Sequence, residues 1–181
     1  SPSLEELCAG KKDIVIISSD HTRPVPSRVT MPILLHHIHS AAPEARVRIL
    51  VATGMHRPST HEELVNKYGE EIVANEEIVM HVATDDNMMK KIGTLPSGGE
   101  CIINKIAADC DLLLAEGFIE PHFFAGFSGS RKSVLPGVAS YKTIMYNHNG
   151  QFVNDSHSRA GNLCHNHVSE DMFAAAEMAH L

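Results

Sequence analysis

Three short polar segments each follow an apolar run and carry side chains suited to acid–base and anion chemistry. They are Asp20-His-Thr-Arg-Pro24, Thr53-Gly-Met-His-Arg-Pro58 and Gly117-Phe-Ile-Glu-Pro-His122. The imidazoles of His56 and His122 change charge near neutral pH, the planar fork of Arg23 suits a carboxylate or a phosphate, and Asp20 adds a carboxylate to the same set. Taken singly, each residue reads first as ordinary loop polarity. Their shared position, just after a strand-like run, argues that Asp20, Arg23, His56 and His122 face one crevice.

Gly126-Phe-Ser-Gly-Ser-Arg-Lys-Ser133 invites comparison with the phosphate-binding loop G-x-x-x-x-G-K-[ST], but Arg131 occupies the place of the second glycine. A nucleoside triphosphatase is therefore not supported. The segment still reads two ways: a Gly/Ser loop offering N–H groups and cations to an anion, or a flexible loop with Arg131 and Lys132 in solvent. The later histidines, with His148, His157 and Cys164-His-Asn-His167, lack the common spacings of a zinc site and read mainly as exposed polar residues. His36, His37 and His39 cannot share one helix face and are assigned to surface or partner contacts.

The elements that must position these loops alternate. Asp13-Ile-Val-Ile-Ile-Ser-Ser19 is a β-branched run expected to be a strand buried on both faces, and the periodic stretch Met31–His39 a helix with Pro32 near its first turn. Val47–Gly54 is a second strand, and Thr60-His-Glu-Glu63 a capping box opening a helix that ends at Gly69. Strands are further expected at Ile78–Thr84 and Asp111–Gly117, a turn at Leu95–Gly99, and a short helix over Asn104–Ala108. The final segment from Ser169 begins like a capped helix without a Gly or Pro exit. This alternation predicts an α/β, Rossmann-like domain with a mostly parallel sheet and flanking helices, binding ligands at the carboxyl ends of its strands.

Composition narrows the partners. The chain has 181 residues, enough for one domain over 1–181, and 43% of them are apolar, enough for a sizeable core. Lys+Arg of 15 against Asp+Glu of 22 gives a net charge of −7, which opposes nucleic-acid binding. No apolar window approaches the ~18 residues of a membrane helix, and the acidic, polar start is unlike a signal peptide. Cys8, Cys101, Cys110 and Cys164 show no C-x-x-C spacing. Reduced thiols in a cytoplasmic protein are expected. The start at Ser1 and the abrupt end lead us to expect a fragment whose second domain lies elsewhere in a longer chain.

The loops together resemble one family. Asp20-His-Thr-Arg-Pro24, Thr53-Gly-Met-His-Arg-Pro58 and above all Glu120-Pro-His-Phe-Phe-Ala-Gly-Phe-Ser-Gly-Ser-Arg-Lys-Ser-Val-Leu-Pro-Gly137 look like the N-terminal domain of the nickel-dependent lactate racemases. The likeness covers nearly the whole chain. It implies an enzyme that interconverts the two hands of a 2-hydroxy acid with a nickel-pincer nucleotide, built by cofactor-synthesis proteins. By the same likeness, Lys132 matches the lysine that anchors the cofactor covalently and His148 the nickel ligand. His56 and His122 match the acid–base pair, and Asp20 and Arg23 line the site. Ser130 departs from the pattern, standing where many members carry a second glycine.

Chemistry agrees with those roles. An α-hydrogen beside a carboxylate is barely acidic, so its removal as hydride to an electrophilic pyridinium is an alternative to deprotonation. The planar 2-oxo acid can then take the hydride back on its other face, while a base on each side removes and returns the hydroxyl proton. Two histidines satisfy that symmetry. Arg23 suits either the substrate carboxylate or the cofactor phosphate, and the substrate itself stays open among lactate, malate-like, aromatic and sugar acids. A non-catalytic nucleotide- or metal-binding module would lose an acid–base residue while keeping the anchor. A zinc hydrolase built on the tail histidines would need a better spacing.

Overall fold

The computed structural model describes residues 2–181. The chain runs α1 (Leu4–Cys8), β1 (Asp13–Ser19), α2 (Ser27–Ala41), β2 (Arg46–Ala52), α3 (His61–Tyr68), α4 (Glu70–Asn75) and β3 (Glu77–Met80). A hairpin of β4 (Met89–Thr94) and β5 (Glu100–Asn104) follows, then α5 (Lys105–Asp109) and β6 (Leu112–Ala115). The remainder holds a two-stranded ribbon, β7 (Pro121–His122) with β8 (Gly126–Phe127), and helices α6 (Tyr141–Asn147), α7 (Gly150–Val153) and α8 (His167–Met178).

The central sheet has the order β3-β2-β1-β6, all parallel. Strand alternation divides its apolar residues between two layers. Ile14 and Ile16 pack with Ile49, Val51 and Tyr68 beneath α2 to α4, whereas Val15 and Ile17 pack with Leu50, Leu113, Val134 and Met172 beneath α5, α6 and α8. The expected α/β architecture, a parallel sheet with flanking helices, is thus present, with helices on both faces. Successive strands add on one side of β1 as far as β3, and β6 then pairs on its other side. The carboxyl end of β1 is therefore the switch point at which such folds open a crevice.

Several elements differ from the sequence expectation. The helix expected from Met31 begins at Ser27, so Pro32 lies inside it. The cost is limited because Pro32 and Arg28 are both exposed, leaving the carbonyl that lost its partner facing water. The third and last central strands are shorter than expected, at Glu77–Met80 and Leu112–Ala115. The expected turn at Leu95–Gly99 joins the hairpin strands β4 and β5, whose Met-Lys-Lys-Ile-Gly-Thr half lacks clean alternation. The last helix is capped by Asn166, whose side chain accepts from the Ser169 N–H, rather than starting at Ser169. Among the described residues, no helix is long and apolar enough to cross a membrane, and all four cysteines are free thiols.

Candidate active site

At the switch point a cleft of about 350 Å³ opens between the loops after β1, β2 and β6 and the segment 128–137. That size falls within the usual range for small-molecule sites. Asp20, Arg23, His56, His122, Lys132 and His148 all line it, although they come from positions more than a hundred residues apart.

Asp20 is almost fully buried at the end of β1. Its Oδ1 accepts from the Thr22 N–H at 3.0 Å and the Thr22 hydroxyl at 2.6 Å, and its Oδ2 lies 2.6 Å from Nδ1 of His56. Burial alone would raise this carboxyl, but the bonds from Thr22 and His56 outweigh it and hold Asp20 below the usual carboxylate range. A carboxylate at Nδ1 fixes the proton there, so the Nε2 lone pair of His56 is free. The loop carrying His56 is held at its base. Thr53 donates its hydroxyl to the His81 carbonyl at 2.6 Å, and the Gly54 N–H bonds the Gly137 carbonyl at 2.9 Å.

His122 is arranged the other way. Its Nδ1 accepts from the Ala125 N–H at 3.3 Å, so in the neutral ring Nε2 carries the proton. The ring stacks on Phe123 and meets Phe124 edge-on, both at 4.6 Å between centroids. Burial first, then the charges of Lys132, Arg23 and His148, push its pKa down to about 4.

Lys132 and His148 flank Phe124. The Lys132 ammonium lies 5.7 Å from the centre of that ring and His148 meets its edge at 5.2 Å. Burial, assisted by Arg23 and Arg131, brings Lys132 down to about 8, and burial with the Lys132 charge brings His148 down to about 4. Lys132 pairs with no carboxylate among the described residues. Nδ1 of His148 is a buried polar atom with no hydrogen-bond partner. An unpaired amine and an unpartnered imidazole nitrogen are what a ligated, covalently anchored group would use. No three His, Cys, Asp or Glu side chains among the described residues cluster to hold a metal. A metal at His148 would therefore have to bring ligands of its own, and the donor set fits a metal carried by an organic cofactor.

The segment before Lys132 is neither a P-loop nor a flexible loop. Arg131 is buried: its guanidinium donates to the Ala125 and Phe127 carbonyls and the Ser169 hydroxyl at 3.1–3.4 Å and lies 4.4 Å from the Phe173 ring centre. Gly129 has φ 72°, and a Cβ there would come within 2.5 Å of the Phe118 carbonyl. Ser130, in place of the family's glycine, takes the left-handed conformation itself at φ 46°. The departure is absorbed by local strain, with the Arg-Lys pair still in place.

Other sequence readings resolve outside the cleft. His37 and His39 bond Glu5 and Glu76 at 2.6 and 3.0 Å, so their partners lie within the chain. His157 bonds Asp155 and meets the His165 ring edge-on. Sequence reasoning missed Glu116, a buried carboxylate on the cleft wall that accepts from Ser18 at 2.8 Å, Ser27 at 2.9 Å and Thr30. An acid directly after Leu112-Leu-Leu-Ala115 was the available signal. Phe124, inside the quoted motif, was likewise not assigned.

A family model described as the lactate racemase N-terminal domain matches residues 1–161. The chain is 71% identical over 181 residues to a lactate racemase of Lactiplantibacillus plantarum, covering 100% of this chain and 43% of that protein. It is 54% identical to a lactate racemase of Thermoanaerobacterium thermosaccharolyticum, covering 98% and 42% respectively. The chain thus spans less than half the length of these curated relatives. The solved lactate racemase apoprotein of the latter organism superposes with a TM-score of 0.98 at 53% identity, covering 100% of this chain and 43% of that one. A Thermotoga maritima protein at 22% identity and TM-score 0.80, covering 97% and 46%, shares the fold.

Proposed function

The chain belongs to the lactate racemase N-terminal domain family, and from that premise we propose that it serves an enzyme interconverting the enantiomers of a 2-hydroxy acid, lactate first among them. The observation that carries this reading is the convergence of two oppositely arranged histidines with an unpaired lysine and a buried imidazole around one cleft. The proposed cofactor is a nickel-pincer nucleotide, with Lys132 as its covalent anchor and His148 as the protein's ligand to nickel. When bound, such a group supplies an electrophilic ring able to take the substrate's α-hydrogen as hydride.

The chain's own residues manage the proton. Asp20 holds His56 with its Nε2 lone pair available, so His56 takes the hydroxyl proton of one enantiomer. His122 begins as an N–H donor and returns the proton on the opposite side. Its depressed pKa would leave it neutral near pH 7 in the unliganded cleft. Once Lys132 is consumed as the anchor its charge is gone, and a substrate carboxylate settling near Arg23 offsets the second charge that depresses His122, so both changes favour the protonated acid. In the reverse direction the two rings exchange roles. Phe123 and Phe124 pack against the His122 ring and fix its orientation at the edge of the cleft.

The test is lactate racemisation by the full-length protein co-produced with its cofactor-synthesis proteins. His56→Ala and His122→Ala should each lose turnover while retaining nickel, whereas His148→Ala should lower nickel content. A modified peptide containing Lys132 is expected by mass spectrometry. Near-normal turnover in either histidine variant would remove that residue from the pair, and unmodified Lys132 in active enzyme would overturn the anchor.

A further inference from the structure

The segment 20–26 carries Asp20 and Arg23 from the end of β1 to the start of α2. Its backbone bonds are short: the Arg23 N–H donates to the Asp20 carbonyl at 3.3 Å and the Ser27 N–H to the Val25 carbonyl at 2.8 Å. Among the described residues, its N–H groups and carbonyls bond no backbone outside the segment and α2. Pro24 and Pro26 fix two φ angles within it, so movement at either end is passed along rather than absorbed. Where the ends sit therefore decides where Asp20 meets His56.

Both ends are gripped by Glu116. Its Oε2 accepts from the Ser18 hydroxyl of β1 at 2.8 Å and from the Ser27 hydroxyl of α2 at 2.9 Å, and its Oε1 accepts from Thr30 one turn further along α2. Two hydroxyls meeting on one oxygen fix the strand end beside the helix start. Ser18 and Ser27 are fully buried, so losing this acceptor would leave both hydroxyls short of a partner. Glu116 is itself anchored, because its N–H continues the β1–β6 pairing to the Ile17 carbonyl at 2.8 Å. Among the described residues, no Lys, Arg or His pairs with this carboxylate. A buried acid without a cation is costly unless hydrogen bonds satisfy it, and well-packed apolar side chains would fill the same space without that cost. Packing alone does not account for the set.

We infer that Glu116 is a positioning residue that acts through the segment 20–26 to keep Asp20 against Nδ1 of His56. Its effect on turnover rests on the proposed function, whereas its effect on the His56 ring does not. The hydroxyls need an acceptor rather than a charge, so glutamine can serve in its place. The amide oxygen takes Ser18 and Ser27, and the amide N–H donates to Thr30, whose own hydroxyl has the Pro26 carbonyl at 3.2 Å as a second acceptor. Alanine offers none of these bonds.

The test reads the His56 tautomer by nitrogen NMR of the cofactor-free, full-length protein with the ring neutral, and lactate turnover of the same variants carrying cofactor. In the wild type Asp20 holds the proton on Nδ1. Glu116→Ala should shift it toward Nε2, the site a free imidazole prefers, and lower turnover about 10²-fold, the scale of an ångström's misplacement near a reacting group. Glu116→Gln should keep the Nδ1–H tautomer and most of the turnover. Ser27→Ala, a smaller change that frees only the α2 end, should shift the ring in the same direction and carries the test if Glu116→Ala does not fold. In an Asp20→Asn background Glu116→Ala should cost no further turnover, because its effect runs through Asp20. An unchanged tautomer in Ser27→Ala and in folded Glu116→Ala, or a full second loss of turnover in the Asp20→Asn background, refutes the clamp. A shifted tautomer in a protein whose wild type shows no racemase activity upholds the clamp and overturns the racemase reading instead.

Discussion

Acidification should destabilise this fold, and one share of the loss can be assigned to His81. It is fully buried just beyond β3, where its Nε2–H donates to the Ala139 carbonyl at 2.9 Å and its Nδ1 accepts from the Asn104 side-chain amide at 3.2 Å. Both nitrogens are satisfied only in the neutral ring. Burial, opposed weakly by the Ala139 carbonyl, lowers its pKa from 6.5 to about 4. The unfolded chain therefore binds a proton that the folded protein refuses. The stabilisation is complete above pH 6.5 and is lost as pH falls toward 4. A gap of two and a half units is worth about 3 kcal/mol in all, and ~2 kcal/mol of it should be gone by about pH 5. Against a typical domain stability of ~5–15 kcal/mol that is a large share. The ring braces the segment carrying Lys132, and the His81 carbonyl braces Thr53 beneath the His56 loop, so the loss reaches the cleft. Urea unfolding of the full-length protein and of His81→Gln between pH 7.5 and 5 measures the effect. Glutamine can keep one donor and one acceptor but does not titrate. The wild type should lose ~2 kcal/mol more than the variant over this range; parallel curves would refute the reasoning.

Three further outcomes follow from the site. Asp20→Asn removes the charge that fixes His56 and places an amide donor where Nδ1–H now donates, so turnover should fall about 10²-fold or more with nickel content unchanged; retention of half the activity would show that the 2.6 Å contact is incidental. Gly129→Ala forces a Cβ to within 2.5 Å of the Phe118 carbonyl at positive φ, a cost of at least ~1–2 kcal/mol; cofactor attachment at Lys132 should fall, and an unchanged modified fraction would contradict it. Lys132 in cofactor-free protein should be acylated with a pH dependence centred on about 8. Competitive labelling with peptide mass spectrometry reads that midpoint, and a value at the ordinary lysine position near ~10.4 would contradict the burial argument.

Much of the scaffold was legible locally. The β-branched run of β1 could bury both faces only inside a parallel sheet, and Thr60 with Glu63 forms the reciprocal capping bonds its spacing requires. Less regular signals were blurred. The hairpin strand β4 carries adjacent lysines, and its Gly93 lies against Met178 of α8, a contact made only once the distant helix is in place. Ser169 had the composition of a helix cap, but Asn166 reaches its N–H first.

Which residues could do the chemistry was readable along the chain, because side-chain type, spacing after strands and the long Glu120–Gly137 segment are linear properties. Their protonation and pairing were set by the fold. The strand order β3-β2-β1-β6 makes the loops after β1 and β6 neighbours across the switch point, which no local pattern encodes. Packing against Phe173 and three oxygens turned Arg131 from a solvated cation into a buried clamp. A carboxylate at Nδ1 of His56 and an N–H at Nδ1 of His122 gave two identical side chains opposite roles. Protonation and tautomer answer to the local dielectric and to the nearest donor or acceptor, and those neighbours are brought together by folding rather than by position along the chain.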